Sequence, residues 1–164
     1  MSGQRDKEFM AMALEEAGKA GSAGEVPVGA VVVLEGEVIG RGHNRSVSDH
    51  DPTAHAEINA LRDAAMRLGN YRLQGADLYV TLEPCIMCAG ALLHARIARL
   101  VYAAPDPRYG AAGSALNLLD SPFANHRTRI VSGVLRREAA ALLDEFFAER
   151  RNTPDASGSV SPGP

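Results

Sequence analysis

The chain is predicted to fold as one α/β domain with helices on both faces of a mixed sheet, and three observations predict it. Apolar runs of strand length recur at VGAVVVL (28–34), ADLYVTL (76–82) and RLVYAA (99–104). Stretches of helical periodicity lie between them, the alternation that builds helix-covered sheets. The length of 164 residues suits a single core, and 46% hydrophobic residues is ordinary for a globular fold. No apolar run approaches the roughly 18 residues that a membrane helix needs.

Each element has a local reason. A first helix is expected over Lys7–Lys19, where Phe9, Ala13 and Ala17 recur on one face beside Met10 and Leu14, until GSAG breaks it. VGAVVVL and EVIGRGHN (37–44) flank Glu35-Gly36, which reads as a hairpin. Asp51 as N-cap, with Pro52 at the first helical position, predicts the start of a second helix. Ile58, Leu61, Ala65 and Leu68 continue it at helical spacing, and Gly69-Asn70 stops it. After the strand ADLYVTL, Pro84 opens a helix to Ala95, and RLVYAA follows as a strand. Residues 105–127 form a Pro/Gly-rich loop whose length points to function or mobility. TRIVSG (128–133) suits a short last strand, and a last helix is expected over Leu135–Arg151, capped at Ser132 or Gly133. The tail 152–164 has no apolar pattern and is expected to be disordered, which sets the domain at residues 1–151.

The net charge of −3 does not advertise nucleic-acid binding, but its distribution is uneven. Residues 1–94 carry 8 basic and 13 acidic groups; residues 95–164 carry 9 basic and 7 acidic ones. All nine are arginines, including Arg127, Arg129, Arg136, Arg137, Arg150 and Arg151. Arginine can fork onto phosphates and stack on bases, so a local RNA-binding face is compatible with the acidic total, as is a solvated charged surface. The N-terminal stretch has scattered charges and no signal-peptide apolar region, so a cytoplasmic protein is expected. There, a lone cysteine pair more often serves metal or redox chemistry than a structural clamp.

That pair sits in TLEPCIMC (81–88), spaced C-x-x-C at a predicted helix start, so Cys85 and Cys88 share one face. His55-Ala56-Glu57 lies at the start of another helix. If the two helix N-termini converge, His55, Cys85 and Cys88 supply one imidazole and two thiolates, a natural zinc set with the fourth corner left for water. Helix N-termini stabilise thiolates and disfavour imidazolium, so both dipoles favour the binding forms. Glu57 is placed to move the water proton, and H-x-E followed by P-C-x-x-C is the zinc-deaminase signature. Two other readings use the same residues. His50 and His55 with the cysteines could close a structural Cys2His2 site, or the cysteines could form a thioredoxin-like couple.

PVGAVVV, HNR, HDPTAHAEINAL, NYRL, LYVTLEPCIMCAGAL, GAAGS and NHR together closely resemble the bacterial tRNA-specific adenosine deaminases, in order over about residues 7–151. The resemblance implies a three-layer α/β/α cytidine-deaminase-like fold with a central mixed five-stranded sheet. It implies one zinc per chain, bound by His55, Cys85 and Cys88, with Glu57 as the catalytic proton shuttle. The implied reaction is hydrolytic deamination of the wobble adenosine (position 34) of a tRNA anticodon to inosine, with release of ammonia. The implied partners are a second copy in a homodimer and a tRNA, expected to be an arginine tRNA with an ACG anticodon. Asn44 resembles the asparagine that hydrogen-bonds the flipped purine, Val28 and Ala56 resemble pocket walls, and Asp106 resembles an aspartate near the target ribose. Phe146, Phe147, Arg150 and Arg151 resemble an RNA-contacting helix end. Tyr109 departs from the small residue usual in relatives. TLEPCxMCAGA is shared with guanine deaminases, so a free purine base or nucleoside deaminase is the alternative enzyme. A zinc-stabilised RNA-binding module without catalysis is the alternative from another class.

Overall fold

A computed structural model describes residues 2–122, 124 and 126–152. Among them are four helices, α1 (Ser2–Ser22), α2 (Ala56–Leu68), α3 (Ile86–Ala95) and α4 (Arg136–Asn152). Five strands, β1 (Gly29–Leu34), β2 (Glu37–His43), β3 (Asp77–Leu82), β4 (Arg99–Ala104) and β5 (Arg129–Ser132), form one sheet in the order β2-β1-β3-β4-β5. β1 is antiparallel to β2 and β3, whereas β3–β4 and β4–β5 are parallel, so the sheet is mixed as expected. The β1–β2 hairpin turns on Glu35 and Gly36 at φ 51° and 79°. Two positive φ values mark a type I′ turn, which matches the twist of the strands. Parallel strands need a crossover, and α3 makes the one between β3 and β4.

β1 is covered on both faces, which is why VGAVVVL shows no alternation. Ala30 and Val32 pack with Ala60, Ala64, Leu78, Ala89 and Leu92, under α2 and α3. Val31 and Val33 pack with Met10, Ala13, Tyr79, Val101 and Ala139, under α1 and α4. Three α/β/α layers result. α2 rests directly on the backbone of β2, because glycine occupies the facing positions. A methyl group at Gly40 would stand 2.5 Å from the carbonyl oxygen of Ala60, and one at Gly42 the same distance from that of Ala56.

Ions lie under α1. Asp6 accepts hydrogen bonds from Arg99 Nη1 and Nη2 at 2.9 and 2.8 Å and from the Tyr79 hydroxyl at 2.6 Å. Arg99 also donates to Asp77 at 3.0 Å. The bidentate guanidinium holds the Asp6 carboxyl below its ordinary range. Arg99 therefore staples α1 to the sheet and leaves the set of arginines available to RNA.

Several boundaries differ from the sequence expectation. α1 extends both ways, to Ser2 and Ser22, and its buried face continues past the expected span at Asp6, held by Arg99, and at Ala20. α2 begins at Ala56, not at Pro52. Asp51 closes a local turn instead, its Oδ1 accepting from the Thr53 N–H at 2.8 Å and the Thr53 hydroxyl at 2.7 Å. α3 begins at Ile86. Neither Ser132 nor Gly133 caps α4: Ser132 ends β5, and Leu135 precedes the helix at φ 55°, drawn in by the packing of Val134 and Leu135 on the core. The tail expected to be disordered lies, from residue 153 on, outside the described residues.

Candidate active site

His55 and Cys85 are the N-cap residues of α2 and α3. An N-cap side chain ordinarily accepts from first-turn N–H groups, and neither of these does. They turn towards each other. Nδ1 of His55 lies 3.6 Å from Sγ of Cys85 and 3.5 Å from Sγ of Cys88, which stands on the first turn of α3. Zinc bonds of about 2.0–2.1 Å to nitrogen and 2.3 Å to sulfur, set at tetrahedral angles, need N···S edges of roughly 3.6 Å. Both N···S edges already have that length. Among the described residues, no other group of three or more His, Cys, Asp or Glu side chains converges closely enough to hold an ion. His50 does not join it, so the described residues do not form the Cys2His2 site, and both cysteines are free and buried.

The two sulfurs share a hydrogen bond that lowers Cys85 to about 4 and pushes the Cys88 thiol up. Zinc binds cysteine as thiolate, so metal binding would displace thiol protons from the pair. Glu57 is 4% exposed and lies against Cys88. Burial pushes its carboxyl up to about 7, although His55 pulls in the opposite direction. A carboxyl poised near neutrality beside a metal triangle, but outside it, can both accept and return a proton.

Three of the expected substrate residues form one hydrogen-bonded unit. The Asn44 N–H donates to the Val28 carbonyl at 3.1 Å, and the Asn44 Oδ1 accepts from the Ala56 N–H at 2.8 Å. Asn44 thereby supplies the cap of α2 that His55 does not. With Oδ1 turned to Ala56, its amide nitrogen is left as the group to offer a ligand, and that group is a donor. Val28 and Ala56 are buried in the core cluster, where packing alone accounts for them.

Asp106 is a turn residue, its Oδ1 accepting from the N–H groups of Arg108 and Tyr109 at 3.1 and 3.2 Å. It also lines a cavity of about 180 Å³ with Val26, Leu82, Arg108, Tyr109 and Phe147. Arg150 donates to the Gly24 carbonyl at 2.6 Å with its guanidinium 4.6 Å from the Phe146 ring centre, whereas Arg151 is exposed. The sequence reading missed two buried carboxylates near the site, Glu25 and Glu83. Glu25 accepts from the N–H groups of Val47 and Ser48 at 3.1 and 2.7 Å, and so holds the segment after Asn44. The signal for Glu83 was available, since a charge directly after a buried strand must find partners.

Residues 3–104 match the cytidine and deoxycytidylate deaminase zinc-binding region. The chain is 52% identical over 147 residues to the tRNA-specific adenosine deaminase of Haemophilus influenzae, covering 89% of this chain and 85% of that one. It is 45% identical over 153 residues to the enzyme of the same name from Bacillus subtilis, covering 93% and 95%. A solved structure from a study of A-to-I editing by tRNA:A34 deaminases at the wobble position matches with a TM-score of 0.81 and 51% identity, covering 83% of this chain and 99% of that one. A guanine deaminase from Nitrosomonas europaea matches at a TM-score of 0.75 with only 28% identity, covering 87% and 84%. With its zinc-sized triangle and these relatives, the chain belongs to the cytidine and deoxycytidylate deaminase family, among the tRNA-specific adenosine deaminases.

Proposed function

We propose that this protein is a zinc-dependent hydrolase that converts the wobble adenosine, position 34, of a tRNA anticodon to inosine and releases ammonia. The observation that carries the chemistry is the His55–Cys85–Cys88 triangle with the buried Glu57 carboxyl beside it. Relatives half-identical in sequence carry the choice of tRNA over a free purine. When bound by His55, Cys85 and Cys88, zinc supplies Lewis acidity and lowers the pKa of water towards about 7. Glu57 takes a proton from the attacking water and delivers it to N1 of the purine as the oxygen adds to C6. It then takes the remaining proton from the oxygen added at C6 and passes it to the C6 amino group, which leaves as ammonia as the C6 carbonyl forms. Asn44 offers its amide N–H to an acceptor on the purine edge; the Ala56 N–H holds that amide in place, and the Val28 carbonyl holds the Asn44 backbone. Asp106 accepts from the ribose 2′-OH, and Arg150 and Arg151 lie on the RNA side at the end of α4.

The proposed tRNA is an arginine tRNA with an ACG anticodon, and the proposed compartment is the cytoplasm. No helix among the described residues is long and apolar enough to cross a membrane. The proposed assembly is a homodimer. Its support is an apolar groove of about 350 Å³ on the outer side of α2 and α3, lined by Ile58, Leu61, Ala65, Tyr71, Leu73 and Ala91. Tyr71 is 72% exposed, and Met66, nearby on α2, is 84% exposed. Large exposed side chains of this kind mark association surfaces.

The test is to compare an ACG anticodon stem-loop with free guanine and free adenosine as substrates, counting inosine by sequencing and ammonia by coupled assay. The stem-loop should react far faster and lose rate as salt rises, because phosphate contacts are screened. Faster turnover of free guanine would favour a base deaminase. Zinc binding and RNA binding without ammonia release would favour a non-catalytic module.

A further inference from the structure

Glu83 follows the end of β3, two residues before Cys85, and is 2% exposed, yet among the described residues it is neither in the ligand triangle nor paired with a cation. Among the described residues, its hydrogen-bond donors come from one loop. Oε1 accepts from the Asp106 N–H at 3.1 Å and from the Ser114 hydroxyl. Oε2 accepts from the N–H groups of Ala112 and Ser114 at 3.0 and 3.1 Å. Next to it, the Pro84 carbonyl accepts from the Ala111 N–H at 2.8 Å. The loop passes over the carboxyl so closely that a methyl at Gly110 would overlap it. This accounts for GAAGS. Gly110 admits the carboxylate, Ala112 and Ser114 bond it, and Gly113, at φ 132°, makes the turn between them.

We propose that Glu83 is a positioning residue that sets Asp106 in register with the metal ligands, so that the ribose of the substrate nucleotide meets Asp106 while its base meets Glu57. The inference rests on the reading of Asp106 as a ribose contact. Its basis is the acceptor geometry. Four donors converge two to an oxygen, and only a carboxylate accepts at both. An amide in its place must turn its NH2 towards two of them. Keeping the pair from Ala112 and Ser114 puts NH2 against the Asp106 N–H, where two donors repel. Glu83→Gln therefore frees Asp106 while leaving the cysteines and Glu57 untouched.

The experiment measures kcat and KM on the ACG stem-loop for the full-length zinc-loaded wild type, E83Q, D106A and the double variant, with zinc content and Tm for each. E83Q is expected to keep its zinc and to lose about tenfold in kcat/KM, mostly through KM, since small misplacements of a contact carry large penalties. In the D106A background the same substitution should cost nearly nothing, because the two act through one contact. Full additivity of the two losses, or an unchanged kcat/KM in E83Q, overturns the proposal. If E83Q does not fold, S114A, which removes one of the four donors, takes its place. KM should then rise about two- to threefold in S114A, as for one lost hydrogen bond, and again only when Asp106 is present; an unchanged KM overturns the proposal. Failure of the functional reading looks different, since the wild type itself would then leave the stem-loop unreacted.

Discussion

Gly42→Ala tests whether the seat of α2 on β2 places the catalytic turn. The added methyl would lie 2.5 Å from the Ala56 carbonyl oxygen, closer still to the Ala60 nitrogen, and 2.9 Å from the Asn59 carbonyl carbon. Ordinary contact begins near 3.4 Å, so β2 and the first turn of α2 must part by about 1 Å. These are backbone atoms, and no side chain can swing aside to absorb the overlap. Replacing glycine stabilises by about 0.4–1 kcal/mol through the unfolded chain, whereas overpacking a tight core costs about 1–3 kcal/mol. Overpacking wins. At 2–4 °C per kcal/mol for a chain of this size, Tm should fall by roughly 5 °C. The turn that must move begins at the cap residue His55 and carries Glu57, and a 1 Å misplacement can cost about 10²-fold in rate. Calorimetry, zinc analysis and kcat/KM on the stem-loop are the assays. Gly18→Ala is the control, because a methyl there meets nothing within 4 Å, and in a helix interior it should stabilise by about 0.5–1 kcal/mol. A G42A protein with wild-type Tm and activity would refute the close seating of α2.

Glu57→Gln keeps size and hydrogen bonding but cannot carry the proton, so zinc should stay while turnover falls by at least about 10²-fold; near-normal turnover, or loss of metal, would remove Glu57 from the mechanism. Cys88→Ser should lose zinc and thermal stability together, since the ion joins the starts of two helices; full zinc occupancy in that variant would break the assignment. The Asp6 carboxyl titrates lower folded than unfolded, so its stabilisation is present above about pH 4 and is lost as pH falls through the folded value. Asp6→Asn should therefore cost about 1–3 kcal/mol at pH 7 and lose part of the acid sensitivity of Tm below pH 4, and an identical pH profile would contradict this. Asp106→Asn should narrow the ratio of kcat/KM between an RNA stem-loop and its deoxy counterpart, mostly by helping DNA, because an amide tolerates a missing 2′-OH better than a desolvated carboxylate. An unchanged ratio would leave Asp106 as a turn residue alone.

The sequence by itself determined the elements and the reacting groups. Apolar runs placed β1, β3 and β4, the Glu35-Gly36 turn added β2, and H-x-E with P-C-x-x-C named the metal-site chemistry, because ligand type and short spacing are properties of chain neighbours. Where α2 starts was not legible. Asp51 had the better local propensity, but it spends its carboxylate on Thr53, and the cap comes from Asn44, 12 residues before Ala56. Arg99 looked like one of nine RNA-facing arginines until folding set it against Asp6, 93 residues away. Glu83 stood unread inside a motif that was otherwise interpreted, since its partners lie up to 31 residues further on. The distance from His55 to the two cysteines, on which the zinc assignment turns, exists only because β2 and β3, each antiparallel to β1, finish at one end of the sheet and start α2 and α3 there. Local chemistry is written in the chain, but a buried polar group takes whichever partner packing delivers, and packing belongs to the whole fold.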